Sequence, residues 1–569
     1  MTKSNVNVIP SSQNAIAVAH NKRRSANYKP NIWKYQFLQS LTSKYHEEEY
    51  FMQLTKLMME VKHLFVQEAS VLKKLELADW IQKLGLANYF QKEIKEFLES
   101  ILVRVQNRNI NPSVEQNLHV SALSFKLLRQ HGYPVLSDTL SSFLDGKGEV
   151  IRKDLYVGDD AKDVVELLEA SHLGLEGEFF FDRAKTCAIN SLKDASININ
   201  QTPDVAIERM AHALELPSHW RVPWFDVKWH VEQYKRERNM HPILLELAKL
   251  NFNMIQATLQ SEVKELSRWW ENLGIKKELS FARNRLVESF MCAAGVAFEP
   301  KYKSVRKWLT KVIILVIVID DVYDIHASFE ELMPFTMAIE RWDDRELEEL
   351  PDYMRICINA LKNVTDEIAY DIGGQNNFHL VLPYLKKAWI EFCKALFMEA
   401  KWYNKEYIPS LQEYLSNAWV SSSGPLILLH SYFATVHQAT NANHEIDDFL
   451  HTQEDLVFNV SLIIRLSNDL GTTVAERERG DAASSILCYM NEMGASEEKA
   501  RNYIQDMINK AWKKINGHCL SQVASVEPFL TQAVNAARVA HTLYQNGDGF
   551  GMQDRDIKEY ILSLLVQSL

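Results

Sequence analysis

The run Thr310 to Asp324, TKVIILVIVIDDVYD, constrains this chain more than any other stretch. Val312 to Ile319 are all apolar and lead directly into Asp320, Asp321 and Asp324. An uninterrupted apolar run reads as an element buried on every side. Adjacent carboxylates at its end are costly, because a buried charge must be paired or must bind metal. Continued as helix, the run places Asp320 and Asp324 on one face. Carboxylate oxygens so arranged suit a hard ion such as Mg²⁺, which keeps waters and completes its shell with substrate phosphates. Taken alone, the stretch is equally compatible with a solvated acidic helix end.

A chain of 569 residues exceeds what one core can hold, so two or three domains are expected. Glycine (19) and proline (15) are few, which favours long helices and an all-α fold. The net charge is −11 with no basic stripe, which argues against nucleic acid as a partner. An anionic substrate would then need local arginines, lysines or metal ions. The six cysteines are scattered without a CxxC pair, so neither a zinc site nor a disulfide framework is indicated, and a reducing compartment fits. No apolar stretch reaches the ~20 residues of a membrane helix. Residues 1–22 lack acidic groups, a bias shared with organelle transit peptides. They are short and poor in basic residues, and read as a flexible tail.

Residues 23–238 form an N-terminal helical region and residues 239–569 a C-terminal one. The first opens with RRSANYKPNIW, holding Arg23, Arg24 and Trp33. Pro30 keeps its predecessor out of the helical region, so this is an extended arm or an ordinary basic surface patch. LPSHWRVPWFDVKW, with Pro217 and Pro223, breaks the helical period near the junction. A second DDxxD spacing, Asp159, Asp160 and Asp163, follows Gly158 and precedes an amphipathic helix, which points to capping. The pairs Asp343–Asp344 and Asp447–Asp448 read as solvated helix surface.

Asn468, Thr472 and Glu476, at i, i+4 and i+8 of RLSNDLGTTVAERERGD, line one helical face. Amide oxygen, hydroxyl and carboxylate together chelate a hard cation; the alternative is a polar face with local hydrogen bonds. Arg465, one turn earlier, offers a planar fork to a phosphate. Arg283 and Arg285, in LSFARNRLVES, are expected to receive a departing diphosphate, the alternative being ordinary surface arginines. The conjunction implies metal ions bridging a diphosphate between two helices. In SSSGPLILLH, Gly424 and Pro425 interrupt a helix and free carbonyls and the hydroxyls of Ser421, Ser422 and Ser423, either to steady a cation or as a plain kink.

RRSANYKPNIW, FARNRLVE, DDVYD and NDLGTTVAE, in this order, resemble plant class I terpene synthases. The match is closest to α-farnesene synthases of the angiosperm group that also holds many monoterpene synthases. It runs from Arg23 to the C-terminus and includes ELAKLNFN, GVAFEP and ARVAHTLYQNGDGFG. The resemblance implies an N-terminal α-barrel relic whose Arg23–Arg24–Trp33 arm caps a C-terminal helical bundle. It implies three Mg²⁺ (or Mn²⁺) ions, with Asp320 and Asp324 binding two and Asn468, Thr472 and Glu476 the third. Arg283, Arg285 and Arg465 would contact diphosphate. Cys292, Tyr544 and Phe550 fall at cavity positions. Cyclising relatives often carry Trp and Tyr where this chain has Cys292 and Phe550, and Cys292 supplies no cation–π contact; the equal alternative is that both are ordinary core residues. Two further departures are Asn284 between the arginines and Ser484 where many relatives have lysine.

The expected function is ionisation of farnesyl diphosphate and deprotonation to acyclic (E,E)-α-farnesene, by a monomer in the cytosol, with the plastid as the lesser option. The alternatives are acyclic monoterpene or terpene alcohol formation (ocimene, linalool, nerolidol) from geranyl or farnesyl diphosphate. The rival from another class is a non-catalytic helical isoprenoid-binding protein. A chain-elongating prenyltransferase would carry two DDxxD motifs, which the mixed Asn468/Thr472/Glu476 set argues against.

Overall fold

Few helix breakers and long apolar-periodic stretches leave helix as the dominant element. The computed structural model describes residues 28–106, 117–143, 161–197, 204–343, 347–435, 443–479, 483–521, 527–551 and 555–569, and every regular element among them is helical. The tail, Arg23, Arg24, Asp159, Asp160 and Asp344 lie outside the described residues.

The first half includes Glu48–Gln67 (α1), Val71–Lys83 (α2), Leu118–Gln130 (α3), Ala161–Ser171 (α4) and Phe179–Ile197 (α5). Asp163 sits in the first turn of α4, where an acid favours the helix dipole. Asp447 and Asp448 are exposed, as a solvated surface requires. Among the described residues no helix is long and apolar enough to cross a membrane.

The second half is built from Pro242–Leu273 (α6), Leu286–Val296 (α7), Lys303–Asp321 (α8), Asp352–Asn404 (α9), Leu411–Ser421 (α10), Gly424–Thr435 (α11), Glu454–Arg479 (α12), Glu497–Ser521 (α13), Glu527–Tyr544 (α14) and Arg555–Leu565 (α15). Buried apolar side chains make one continuous core from Trp33 to Leu565, with a small separate cluster around Val164, Leu168 and Leu192. The core crosses the junction expected near residue 238, because α1 packs along α6. The proline-rich stretch is part of this seam. Ser218–Trp220 is a single turn and Pro223 opens the next helix. Trp220 stacks on Trp512 and His541 across it, with centroids 5.5 and 4.9 Å apart.

The apolar run is as buried as its sequence demands. All of Val312 to Ile319 is buried except Val316, which faces a cavity. At its end α8 loosens into a π-type turn, Val322–His326, that carries Asp324.

Candidate active site

Along α8 the cavity is lined by Ile313, Ile317 and Asp320, and then by Asp324 in the following turn. Along α12 it is lined by Ile464, Asn468, Thr472 and Glu476. Both helices thus present apolar residues at one end of the cavity and oxygen donors at the other. The one-face readings of both motifs hold. Thr472 Oγ1 donates to the Asn468 carbonyl at 2.9 Å, which leaves the hydroxyl lone pairs for a ligand.

Asp321, between the two motif acids, turns inward and is fully buried. It accepts from the Arg283 amide at 2.6 Å and from Arg283 Nε at 2.8 Å. Arg283 Nη2 donates to Asp320 at 2.6 Å. The ring of Tyr28, from the N-terminal arm, lies over the guanidinium at 4.5 Å. Burial opposes the charge of Arg283, but Asp321, Tyr28 and Asp320 outweigh it and raise its pKa. Burial, reinforced by Asp320 and opposed by Arg283, pushes the Asp321 carboxyl up to about 6.

On the facing wall Arg465 donates through Nη2 to Ser421 Oγ at 2.9 Å and through Nε to the Ala418 carbonyl at 3.3 Å. Glu399 and Asp469 lie 3.7 and 3.9 Å from its guanidinium. Ser421 Oγ in turn donates to Glu399. Asp469 accepts from the Tyr414 hydroxyl at 3.0 Å and from the Ser485 amide at 2.8 Å. Burial pushes both carboxyls up, and Arg465 opposes it.

The break after α10 is real, but its groups are not free. α10 ends at Ser421 and α11 starts at Gly424. The Ala418 carbonyl takes Arg465, the Ser422 hydroxyl donates to the Trp419 carbonyl, and Ser421 is tied to Glu399 and Arg465. The expectation that the break frees these hydroxyls is corrected for Ser421 and Ser422, which line the cavity but also accept, from Arg465 and from the Gly424 amide. Ser423 joins the helices in a left-handed conformation, φ 62°, which non-glycine residues seldom adopt.

Arg285 is also corrected. It does not line the cavity; its guanidinium binds the backbone carbonyls of Phe550 and Lys29. Cys292, Tyr544 and Phe550 do line the cavity, and burial pushes the Cys292 thiol up to about 12. Asn284 accepts from the Trp270 indole at 3.0 Å. Ser484 is buried and caps the helix Ser485–Met493 by accepting from the Leu487 amide. Trp33 is buried and donates from its indole to Glu288 at 2.8 Å.

Sequence reasoning missed Glu399, Asp469, Asp548 and Tyr28 as cavity residues. Glu399 carried a signal, being an acid inside the apolar stretch ALFMEAKW, and Asp469 adjoins Asn468.

The donor set fits hard divalent cations. Six carboxyls line the cavity (Asp320, Asp324, Glu399, Asp469, Glu476 and Asp548) against the two guanidiniums of Arg283 and Arg465. So acidic a rim repels a polyanion unless cations are added. Among the described residues no three His, Cys, Asp or Glu side chains form a compact metal cluster. The oxygen donors face each other from two walls, an arrangement that ligand oxygens complete, as Mg²⁺ prefers.

Comparison with known proteins agrees with this geometry. Residues 32–214 match the family description "Terpene synthase, N-terminal domain", and residues 271–514 match "Terpene synthase family, metal binding domain". The chain is 51% identical to an α-farnesene synthase of Ricinus communis, over 96% of this chain and 95% of that protein. It is 52% identical to an (E,E)-α-farnesene synthase of Malus domestica, over 96% and 94%. Its fold is similar to the crystal structure of isoprene synthase from grey poplar leaves in complex with three Mg²⁺ ions and dimethylallyl-S-thiolodiphosphate. That likeness has a TM-score of 0.84 and 40% identity, over 95% of this chain and 99% of that one.

Proposed function

Because the chain belongs to the terpene synthase family, we propose that it ionises (2E,6E)-farnesyl diphosphate and releases acyclic (E,E)-α-farnesene and diphosphate. The chain is a carbon–oxygen lyase acting on phosphates, and its metal-binding half uses divalent cations. One observation carries the reading: a single cavity with an acid-and-arginine rim and an apolar body.

Asp320 and Asp324 on one wall, and Asn468, Thr472 and Glu476 on the other, are the residues that would hold the ions. Three Mg²⁺ are the expected set, as in the grey poplar complex, with Mn²⁺ as a substitute. When bound, such ions neutralise the leaving diphosphate as Lewis acids. Arg283 and Arg465 turn guanidinium donors to the diphosphate oxygens. Ile313, Ile317 and Ile464 hold the prenyl chain and keep water from the allylic cation. Neither Cys292 nor Phe550 offers the indole or phenol that steadies later ring cations, so proton loss precedes cyclisation. The proton passes to the adjacent diphosphate, and the C–H electron pair becomes the new double bond. A cytosolic, monomeric enzyme belongs to the same proposal; plastid import of a fluorescently tagged chain would overturn the first part.

The test is incubation of the purified protein with Mg²⁺ and either farnesyl or geranyl diphosphate, with products identified by gas chromatography and mass spectrometry. (E,E)-α-Farnesene is expected as the main product from farnesyl diphosphate. A mainly cyclic profile refutes the reading of Cys292 and Phe550. Mainly nerolidol shows that water reaches the cation first, and turnover of geranyl diphosphate alone moves the enzyme to monoterpenes.

A further inference from the structure

Arg285 opens α7 and is 1% exposed. Its Nε donates to the Phe550 carbonyl at 2.5 Å and its Nη2 to the Lys29 carbonyl at 2.8 Å. Nη1 reaches the Asn284 carbonyl at 3.3 Å. The two outer acceptors belong to segments at opposite ends of the chain. Lys29 lies in the N-terminal arm, and Phe550 in the loop between α14 and α15. Each segment also supplies a wall of the cavity, Tyr28 from the arm and Phe550 from the loop. The arm is pinned again one turn along α7, where Glu288 accepts from Trp33 at 2.8 Å. The loop is braced on its own side, since Asp548 accepts from the Phe550 amide at 2.9 Å.

We propose that Arg285 is a positioning residue that clasps the arm to the C-terminal loop and so keeps water out of the cavity. The proposal rests on the reading of the cavity as the place where a carbocation forms. A planar guanidinium with diverging N–H groups holds two carbonyls in fixed directions at once, which a lysine ammonium does not reproduce. Bonds from a charged donor are also the stronger kind. Backbone acceptors make the clasp indifferent to the side chains at positions 29 and 550. Arg283, two residues earlier, faces the acids while Arg285 faces the backbone, so one short segment serves both the rim and its cover.

The test compares wild type, Arg285→Gln and Arg285→Lys with farnesyl diphosphate and Mg²⁺, reading the share of alcohols (farnesol and nerolidol) in the product. Loss of one charge-assisted bond lowers the closed-to-open ratio about tenfold, so a small open fraction rises about tenfold. The alcohol share is therefore expected to rise about tenfold in Arg285→Gln and by less in Arg285→Lys. Unchanged alcohol share with slower turnover or a raised KM would instead make Arg285 a diphosphate contact and overturn the clasp. Amide hydrogen exchange without ligand gives a second readout. Residues 28–33 and 547–551 are expected to lose protection together in either variant; loss in only one segment, or in neither, overturns the proposal. Arg285→Lys is read alone where Arg285→Gln does not fold. The exchange result stands even if wild type turns over no prenyl diphosphate, an outcome that sinks the assigned function and not the clasp.

Discussion

The seam between the halves should be acid-labile, and its histidines show by how much. His541 lies on α14, the helix that also lines the cavity through Ala540 and Tyr544. Its Nε2 accepts from the Trp512 indole at 2.9 Å, and its ring stacks on Trp220. Burial lowers its pKa from the usual 6.5 to about 3. Across the seam His219 is lowered to about 3 as well, by burial and then Arg538, with the Asn516 hydrogen bond opposing. A folded pKa below the unfolded one means stability that is fully present above 6.5 and is lost as pH falls toward 3. Near pH 5 the unfolded chain has taken up the proton and the folded one has not, which costs ~2 kcal/mol per histidine. Two such groups cost roughly 4 kcal/mol, a large part of a typical domain's ~5–15 kcal/mol. His541→Gln keeps an acceptor for Trp512 but does not titrate. Its urea unfolding, followed by circular dichroism at about pH 7.5 and about pH 5, should show a pH-dependent loss smaller than wild type by ~2 kcal/mol. Comparing each protein with itself cancels the lost stacking and the buried carboxyls shared by both. An equal loss in both proteins would refute the assignment of His541 as a buried neutral group.

Three further outcomes are expected. Asp320→Ala and Asp324→Ala should each lower kcat by more than about 100-fold, since even partners of metal ligands cost ~10–100-fold, while the melting temperature holds; a proportional loss of folded protein would contradict this. Gly471→Ala should destabilise by ~1–3 kcal/mol and lower kcat/KM, because the added Cβ would lie 2.7 Å from the Tyr544 carbonyl and force α12 from α14; Gly517→Ala, with nothing within 4 Å, serves as the contrast and should be neutral or stabilising. Dialysis against a chelator should abolish turnover and lower the melting temperature relative to the Mg²⁺-loaded protein, with both restored by Mg²⁺; an unchanged melting temperature would count against ions held by the acidic rim.

What was legible in the sequence was whatever a helix repeats locally. The apolar run of α8 and the i, i+4, i+8 donors of α12 both follow from one periodicity. What was not legible depends on contacts between segments far apart in the chain. Arg285 read as a phosphate contact because its acceptors are backbone carbonyls more than two hundred residues away in either direction. The hydroxyls of the SSSGP break read as free because Glu399 and Arg465, which engage Ser421, come from α9 and α12. Ser484 read only as a departure from the lysine of many relatives, and its cap on the next helix appears only once the chain turns there.

The DDVYD motif shows why local reading stops short even at its best. Successive residues on a helix point about 100° apart, and here Asp320 lines the cavity while Asp321 does not. Asp320 and Asp324 lie on the cavity side. Asp321 points into the core, where a carboxylate is tolerable only with a partner, and the segment before α7 supplies one through both the backbone amide and the side chain of Arg283. The pairing fixes where Arg283 sits, and its remaining donor reaches Asp320 on the cavity side. Were Asp320 to hold a cation, that Nη2 would be free to serve as a donor to a diphosphate at the rim. Under the proposed function the motif would therefore do two jobs: two acids would serve ions, and the acid between them positions the arginine that would meet the leaving group.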